Sequence, residues 1–310
     1  SERASCSTLE LMKILEEADL PEGLINVVTG FGPTTGAPLI EHQDVRMISF
    51  TGGTKGGSAA SLSASKNVKP IIMELGGKSP QIIFKDADLT LSVNGVVSGI
   101  FPVSGHSCIS GSRILVHKDI KDKFTHNLLE VVKKAKVGHP NDTATQIGPI
   151  ANKEQYDFIL SKIEAAEKRG LKLLIDGRKE QKSEGYYIGP TIFDNVPNED
   201  DLAQNEVFGP VASIQSWDNE DEVIKIANDT IYGLAAGIWT KDTNKAIRLA
   251  DKIEAGTVYI NNYFNASTQS PVGGFKQSGY GRENGWEGMQ SYMQTKSTWL
   301  ATNPSQPNPF

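Results

Sequence analysis

The amino-acid sequence is organised around the stretch Gly105-His106-Ser107-Cys108-Ile109-Ser110-Gly111-Ser112-Arg113. Small residues surround the cysteine and leave room for a ligand to approach the backbone. The apolar run Ile114-Leu115-Val116 comes next and predicts a short buried strand. A thiol on such a turn is a candidate nucleophile, because the thiolate is the form that attacks. A single cysteine is more often a small buried hydrophobe, however, and this stretch alone favours that interpretation.

A carboxylate lies at the end of another predicted strand, in the stretch Met73-Glu74-Leu75-Gly76-Gly77-Lys78-Ser79-Pro80. The run Pro70-Ile71-Ile72-Met73 predicts the strand, and the two glycines end it. Ligand clefts of α/β proteins open at the ends of strands, where desolvation would raise the pKa of Glu74 toward that of a general base. The alternative for an isolated acid is an ion pair with Lys78.

A third acid precedes an aromatic residue and a Gly-Pro turn, in the stretch Glu206-Val207-Phe208-Gly209-Pro210-Val211. Alone, this stretch predicts an ordinary junction between a loop and a strand. Taken together, the three stretches resemble the signatures of the aldehyde dehydrogenase superfamily for the general base, the nucleophile and the nicotinamide ribose. Their order suits the family, as do their separations of 34 residues from Glu74 to Cys108 and 98 from Cys108 to Glu206. The family usually has Gln where His106 stands.

The resemblance extends from residue 1 to about residue 296, nearly the whole chain. It implies an α/β fold in which a partial doubly wound, Rossmann-like cofactor domain is followed by an α/β catalytic domain. The expected boundaries are 1–76 for the C-terminal part of the cofactor domain, 77–277 for the catalytic domain, and 278–310 for a return segment and oligomerisation tail. The other matching stretches are Phe50-Thr51-Gly52-Gly53-Thr54, Tyr232-Gly233-Leu234-Ala235-Ala236-Gly237 and Gly273-Gly274-Phe275-Lys276-Gln277-Ser278-Gly279.

The resemblance implies an NAD(P)-dependent aldehyde dehydrogenase whose nucleophile is Cys108, a thiol that should be alkylated faster than Cys6. The thiol would attack the aldehyde to give a thiohemiacetal, and hydride transfer to the nicotinamide would leave a thioester. Glu74 would activate the water that releases the carboxylic acid, and the backbone N–H of Cys108 would supply half of an oxyanion hole. NAD is the expected cofactor, with NADP also open. The residues expected to bind it are Glu2, Gly52, Gly53, Leu75, Glu206 and Phe208.

The glycine pair Gly52-Gly53 lies between a predicted strand and a predicted helix, where free N–H groups and the helix dipole favour a phosphate. Alternatively, the two glycines could simply allow the chain to turn between the strand and the helix. The family usually has Ser in place of Gly53.

Ser1-Glu2 resembles the end of the family's Lys-Pro-Ser-Glu motif, so the matching lysine would precede residue 1. The first strands of the cofactor sheet and the Asn of the oxyanion hole would precede it too. The alternative function is therefore a truncated, non-catalytic family member with a structural or interaction role.

The composition allows a large core and excludes several classes of protein. The 310 residues are 38% hydrophobic and carry a net charge of −6 with no basic stripe, so nucleic acid is not an expected partner. Two cysteines make no disulfide framework, which points to a reducing, cytoplasmic compartment. No apolar run reaches about 18 residues, so no membrane span is expected. No metal site is expected either, because spaced partners are lacking for His42, His117, His126 and His139.

The remaining patterns predict local structure and partners. A capping box at Ser7-x-x-Glu10 predicts a helix N-terminus, and Ile25-Asn26-Val27-Val28 predicts a strand. Residues 262–269 are expected to line the substrate funnel, and their polarity favours a small polar aldehyde. His106 could lower the thiol pKa as an imidazolium, or simply fill the Gln position. Residues 292–300 predict an edge strand, which in this family pairs with a neighbouring subunit of a homodimer or homotetramer.

Overall fold

The structure is a computed structural model that describes residues 2–182 and 184–310. Ser1, at which the family resemblance begins, lies outside the described residues. Helices and strands alternate along the chain, as expected for an α/β fold. Among the helices of the described residues, none is both long and apolar enough to cross a membrane.

The bounds of the elements are as follows. The α-helices are α1 Cys6–Glu17, α2 Ala37–Glu41, α3 Thr54–Ser65, α4 Leu89–Ile100, α5 Lys121–Val132, α6 Lys153–Lys168, α7 Asp201–Gln204, α8 Glu220–Asn228, α9 Thr243–Ala250 and α10 Gly285–Ser291. The strands are β1 Ile48–Thr51, β2 Ile71–Glu74, β3 Pro80–Ile83, β4 Arg113–His117, β5 Lys172–Ile175, β6 Thr191–Asp194, β7 Val211–Trp217, β8 Tyr232–Gly233, β9 Ala235–Trp239, β10 Thr257–Ile260, β11 Phe275–Lys276 and β12 Gly279–Tyr280. A π-helical turn spans Gly32–Gly36, and 3-10 turns span Pro102–Gly105, Lys118–Ile120 and Gly177–Glu180.

Within the described residues, a sheet of seven strands has the order β10-β9-β3-β4-β7-β6-β5. Neighbouring strands run parallel, except that β5 is antiparallel to β6. The central position belongs to β4, the strand predicted from Ile114-Leu115-Val116, and these three side chains are fully buried. Strands of a parallel sheet are buried on both faces, which explains why this run is apolar without alternation.

Helices cover both faces of the seven-stranded sheet. Helices α4 and α5 pack on one face, where Val96 and Leu128 join the same apolar cluster as Ile114. Helices α8 and α9 pack on the other face, where Val223 lies in a cluster with Leu115. Successive residues of β4 therefore face opposite helical layers, as the two-residue period of a strand requires.

A smaller sheet carries the predicted general base. Strands β1 and β2 run parallel with α3 between them, and β12 joins the other edge of β2 in the antiparallel direction. Glu74 is the last residue of β2 and pairs with Gly279 of β12. A separate two-stranded ladder joins β8 to β11. The chain thus builds the large sheet and then returns to the small one beside Glu74.

Two predicted strands do not form. Ile25-Asn26-Val27-Val28 is irregular, and Val28 is 64% exposed. Residues 292–300 are also without strand structure, and Leu300 is 87% exposed. A strand needs a neighbour for its backbone N–H and C=O groups. The described part of the chain places no strand beside Ile25-Asn26-Val27-Val28, so that prediction is wrong for this structure, whereas the pairing of residues 292–300 with a neighbouring subunit stays a prediction.

Helix α1 begins earlier than its predicted capping box. Its N-cap is Ser5, whose side chain makes no capping hydrogen bond, and the first helical residue is Cys6. The helical spacing of apolar residues predicted the helix itself. The capping box is wrong, because Ser7 and Glu10 both lie inside the helix.

Candidate active site

The three motifs meet at one cavity with a volume of about 670 Å³. Strands β1 and β2 end at this cavity, and the turn after α4 brings Cys108 to it. Of the catalytic and cofactor-binding residues that the sequence predicts, all but Glu2 lie in the cavity wall. The wall is formed by Thr51, Gly52, Gly53, Glu74, Leu75, Gly76, His106, Ser107, Cys108, Gln155, Phe158, Glu206 and Phe208.

Glycines allow the three motifs to come into direct contact. A Cβ on Gly76 would lie 2.3 Å from Oε2 of Glu206. A Cβ on Gly77 would lie 2.4 Å from the carbonyl oxygen of Cys108. Gly105 has a φ of +72°, and a Cβ there would lie 2.2 Å from the backbone of the Gly-Pro turn in the third motif. At Gly77 and Gly105 the contact is with backbone, so a side chain there would force the motifs apart and packing requires glycine; at Gly76 the contact is with the end of the Glu206 side chain.

Glu74 is desolvated, as its place at a strand end suggests. The residue is 8% exposed, and its Oε1 has no hydrogen-bond partner among the described residues. Burial raises the pKa of Glu74 to about 7; the charge of Glu283 adds to the rise and that of Arg282 opposes it. Lys78 makes no contribution to this shift and no ion pair with Glu74, so the ion-pair alternative is wrong. The carboxyl therefore titrates close to neutral pH, where a general base is most effective.

The desolvated carboxyl predicts a stability that depends on pH. Glu74 ionises with its ordinary pKa of 4.5 when unfolded and with a pKa of about 7 when folded, so the free energy of unfolding falls as pH rises between these values. The Glu74→Gln variant should therefore be more stable than the wild type by about 2–3 kcal/mol near pH ~8, and nearly equal to it near pH ~4.5. Urea unfolding at the two pH values measures the difference. The control is Glu199→Gln at an exposed site, and an equal gain at both pH values would contradict the prediction.

Hydrogen bonds hold the third motif beside the second. Oε1 of Glu206 accepts the N–H of Gly77 at 3.0 Å. Burial raises the pKa of Glu206, and the Gly77 N–H partly offsets the rise. Nε2 of Gln155, on α6, donates to the carbonyl oxygens of Val207 and Phe208 at 2.9 and 3.0 Å. The sequence prediction missed Gln155, because a helical pattern contains no signal for a contact with a distant loop.

The environment of Cys108 disfavours the thiolate. Burial raises the pKa of the thiol, and the charges of Glu206 and Glu74 raise it further. The backbone N–H groups of Ile109 and of Cys108 itself lower it. Burial also lowers the pKa of His106, so the imidazole is neutral near pH 7. The proposal that an imidazolium at His106 activates the thiol is therefore not supported.

The raised pKa of the Cys108 thiol favours the opposite order of cysteine reactivity to the one that the family resemblance implies. In the 310-residue chain, iodoacetamide near neutral pH should modify the exposed Cys6 before Cys108. Glu206→Gln removes the charge with the largest effect on the thiol, so it should speed modification of Cys108 by roughly threefold to tenfold. Peptide mapping after brief alkylation measures both rates. The control Glu199→Gln should change neither rate, and modification of Cys108 first in the wild type would contradict the order expected from the raised thiol pKa.

A strained turn delivers the cysteine to the cavity. Val103, Ser104 and Gly105 all have left-handed backbone, with φ values of 54°, 56° and 72°. A β-branched residue rarely adopts this conformation, so Val103 stores strain on the order of 1–2 kcal/mol. The hydroxyl of Ser104 donates to the carbonyl of Gly148 at 2.8 Å and anchors the turn.

The glycine pair lies between β1 and α3, as predicted. Gly53 is the N-cap of α3, and neither a capping side chain nor an acidic residue occupies the first turn. The N–H groups at this helix N-terminus can therefore meet an anion at the cavity wall. Gly52 is required by its neighbour, since a Cβ would lie 2.9 Å from the ring of Phe50. Gly53 faces open space, so packing does not require glycine there.

The structure does not bring Glu2 into the cavity wall. Its carboxylate lies 3.9 Å from the guanidinium of Arg3, which also pairs with Glu154 at 2.8 Å near the start of α6. Phe158, one turn along α6, does reach the wall. Glu2 therefore lies near the helix that contributes to the cavity wall, but it is not part of that wall. Residues 262–269, predicted to line a substrate funnel, contribute no residue to this wall.

Glu283 is a second residue that the sequence prediction missed. Its charge raises the pKa of Glu74, and its carboxylate accepts a hydrogen bond from Ser49 on β1. The pairing of β12 with β2 brings this part of the chain to the site. Local sequence patterns contain no information about such pairing, so the residue had no usable signal.

Comparison with known proteins agrees with this geometry. The model of the aldehyde dehydrogenase family matches residues 1–298. Betaine aldehyde dehydrogenase of Bacillus subtilis is 40% identical over 313 residues, which cover 100% of this chain and 64% of that protein. Aldehyde dehydrogenase 1A1 of Gallus gallus is 44% identical over 301 residues, which cover 97% of this chain and 59% of that protein.

Solved structures share the fold. Betaine aldehyde dehydrogenase from Staphylococcus aureus, in complex with NAD+, matches with a TM-score of 0.95 at 39% identity and covers 100% of this chain and 62% of that one. A mutant aldehyde dehydrogenase from Bacillus cereus matches with a TM-score of 0.94 at 37% identity, covering 96% and 61%. The chain spans 59% to 64% of the length of the two curated relatives above. On this evidence the chain belongs to the aldehyde dehydrogenase family.

Proposed function

We propose that this chain carries the catalytic centre for oxidation of an aldehyde to a carboxylic acid, with NAD(P)+ as the oxidant. The observation that carries the proposal is the cavity in which Cys108, Glu74 and Glu206 meet, with Glu74 desolvated to a pKa of about 7. The relatives support the reaction class, because they are named aldehyde and betaine aldehyde dehydrogenases. The chain spans only part of their length, so the activity of the whole protein is part of the proposal.

Cys108 is the proposed nucleophile. The thiolate sulfur bonds to the carbonyl carbon of the aldehyde, and the carbonyl electron pair moves to oxygen, which gives a thiohemiacetal after protonation. The backbone N–H of Cys108 is the proposed donor to the developing oxyanion. Because burial and two acids raise the pKa of the thiol, its proton must pass to a carboxylate or to water in the cavity before attack.

Glu74 is the proposed base for release of the product. Once the thiohemiacetal is oxidised, an acyl thioester remains on Cys108. Glu74 takes a proton from water as the water oxygen bonds to the acyl carbon, and the C–S bond then breaks to give the carboxylic acid and the thiol. Oε1 of Glu74 has no hydrogen-bond partner in the described residues, so it is available to hold that water.

The cavity wall suits a dinucleotide at two separate points. Gly52 and Gly53 lie at the N-terminus of α3, whose N–H groups suit a phosphate. Glu206 offers a buried carboxylate that can accept hydrogen bonds from ribose hydroxyls, and Phe208 presents an aromatic ring that is 38% exposed. When bound, the dinucleotide would supply the acceptor for the hydride of the thiohemiacetal. The NAD+ complex of the Staphylococcus aureus relative supports this choice of cofactor.

The direct test is formation of NADH when the 310-residue chain is mixed with an aldehyde and millimolar NAD. Activity that depends on the aldehyde and disappears in Cys108→Ala supports the proposal. A folded wild-type chain that forms no NADH at any NAD concentration would favour the non-catalytic alternative.

A further inference from the structure

A tyrosine from a distant strand end lies behind the nucleophile turn. The hydroxyl of Tyr263 donates to the carbonyl oxygen of Ile109, the residue after Cys108, at 2.7 Å. Tyr263 is 7% exposed and follows β10, so 154 residues of sequence separate the two partners. The three sequence motifs do not include this tyrosine, and the reaction outlined above does not use it.

The ring of Tyr263 is fixed in a slot made by two glycines. A Cβ on Gly99 of α4 would lie 2.8 Å from the ring, and a Cβ on Gly237 of β9 would lie 2.9 Å from it. The ring of Tyr259 packs against the open side, with 4.8 Å between centroids. The ring therefore cannot turn without a clash, and its hydroxyl is held in one place.

Both polar groups of Ile109 are used. Its C=O accepts the Tyr263 hydroxyl at 2.7 Å, and its backbone N–H is one of the groups that lower the pKa of the Cys108 thiol. The same turn is fixed at its far end, where the N–H of Gly111 donates to the carbonyl of Gly99 at 3.0 Å. The hydroxyl thus restrains the backbone of Ile109, the residue whose N–H lowers the pKa of the thiol.

We propose that Tyr263 is a positioning residue for the nucleophile, whose hydroxyl holds Ile109 so that the Ile109 N–H faces the Cys108 thiol. The proposal rests on the proposed function only in taking Cys108 as the nucleophile. Its test measures the reactivity of the Cys108 thiol and needs neither aldehyde nor cofactor. The positioning role and the proposed function can therefore fail separately.

The groups that face the thiol allow a clean test. Burial raises the pKa of Tyr263 far above its usual value, so its hydroxyl remains a donor throughout the experiment. The other titratable groups around the sulfur are Glu206, Glu74 and the neutral His106 in the cavity wall, and Tyr259 outside that wall. Replacing Tyr263 by phenylalanine leaves all of these in place and keeps the ring in its slot.

The experiment is the pH profile of Cys108 alkylation by iodoacetamide in Tyr263→Phe. The profile should shift to higher pH, with a rate near neutral pH that is about threefold to tenfold below the wild type and an unchanged limiting rate at high pH. The matched control is Tyr187→Phe, which removes the hydroxyl of a tyrosine that is 5% exposed and lies outside the cavity wall, and it should keep the wild-type profile. Thermal unfolding of each variant confirms the fold.

A wild-type profile in Tyr263→Phe would overturn the proposal, as would an equal shift in Tyr187→Phe. Tyr263→4-aminophenylalanine restores a donor at the same ring position and should alkylate within about twofold of the wild type near neutral pH. A tenfold slower rate in that variant would also overturn the positioning role. This measurement tests the proposal even if Tyr263→Phe does not fold. A shifted profile in a chain without aldehyde oxidation would retain the positioning role and reject the proposed function.

Discussion

Replacing Cys108 by alanine is expected to abolish aldehyde oxidation, whereas replacing Glu74 by glutamine should leave a burst of NADH followed by slow turnover. The two variants differ because the thiol is needed to form the thiohemiacetal, and the proposed role of Glu74 begins only when the thioester exists. Rapid mixing of the chain with aldehyde at millimolar NAD resolves the burst from the steady state.

The expected losses differ in size and in phase. Loss of the nucleophile should lower kcat by at least roughly 10³-fold and remove the burst altogether. Loss of a general base typically costs about 10²–10⁴-fold, and here the loss should be confined to the steady state. Cys6→Ala and Glu199→Gln are the matched controls and should retain the wild-type rates, because both residues are exposed and lie outside the cavity wall.

A missing burst in Glu74→Gln would contradict the division of roles. It would mean that Glu74 also takes the proton of the thiol before attack. The raised pKa of Cys108 gives this alternative a physical basis, because a thiol in that environment must lose its proton to a neighbour or to water. Alkylation of Cys108 in the same variant then separates the cases, since a base for the thiol would also change the pH profile of alkylation.

Local patterns predicted the parts of the fold that local chemistry determines. The apolar run Ile114-Leu115-Val116 predicts a central strand because a parallel strand is buried on both faces, and β4 occupies that position. Glu74 was expected at a strand end because two glycines follow it, and it is the last residue of β2. Ligand clefts open at such ends, so the sequence also located the cavity.

Local patterns failed where a feature depends on a distant part of the chain. Ile25-Asn26-Val27-Val28 and residues 292–300 have the composition of strands, but a strand forms only beside a partner. Glu283 was missed because it reaches Glu74 only through the pairing of β12 with β2. Tyr263 belongs to the segment predicted to line the substrate funnel, and its contact with the nucleophile turn was missed because 154 residues of sequence separate the two partners.

The protonation state of Cys108 also could not be predicted from the sequence motifs. The motif around Cys108 suggests a reactive thiol, yet the folded chain surrounds that thiol with two acids from the other motifs. Their approach depends on the close packing at Gly76 and Gly77. The same packing that assembles the site therefore raises the pKa of its nucleophile. No single motif shows this effect, because the acids that cause it belong to the other two motifs.

The second large effect is expected in cofactor binding: the 310-residue chain should bind NAD at least about a hundredfold more weakly than a complete site. The cavity wall contains the glycine pair, Glu206 and Phe208, but Glu2 lies outside it. No lysine of the 310 residues matches the phosphate-side lysine in the Lys-Pro-Ser-Glu motif of the family that the sequence resembles. Each charge-assisted contact is worth on the order of 1.5–3 kcal/mol, so the loss of two accounts for the expected factor.

The small sheet supports the same expectation. A doubly wound sheet binds a dinucleotide in a crevice with strands on both sides. In the described residues this sheet consists of β1, β2 and β12, and the segment at residues 25–28 adds no strand to it. Titration calorimetry of NAD into the chain measures the affinity. Micromolar binding would contradict the prediction and would mean that the wall is completed in another way, for example by a partner subunit.

A pair of variants at Gly53 tests whether the N-terminus of α3 meets the phosphates. Gly53 has φ −75° and ψ 156° with open space at its Cβ, so it accepts a side chain without strain. Ser and Asp are both good N-caps and should raise the thermal stability of the chain alike. Gly53→Ser adds a donor and should tighten NAD binding about twofold to tenfold, whereas Gly53→Asp adds a negative charge and should weaken it by at least as much. Equal affinities in the wild type and both variants would show that this helix N-terminus does not contact the dinucleotide.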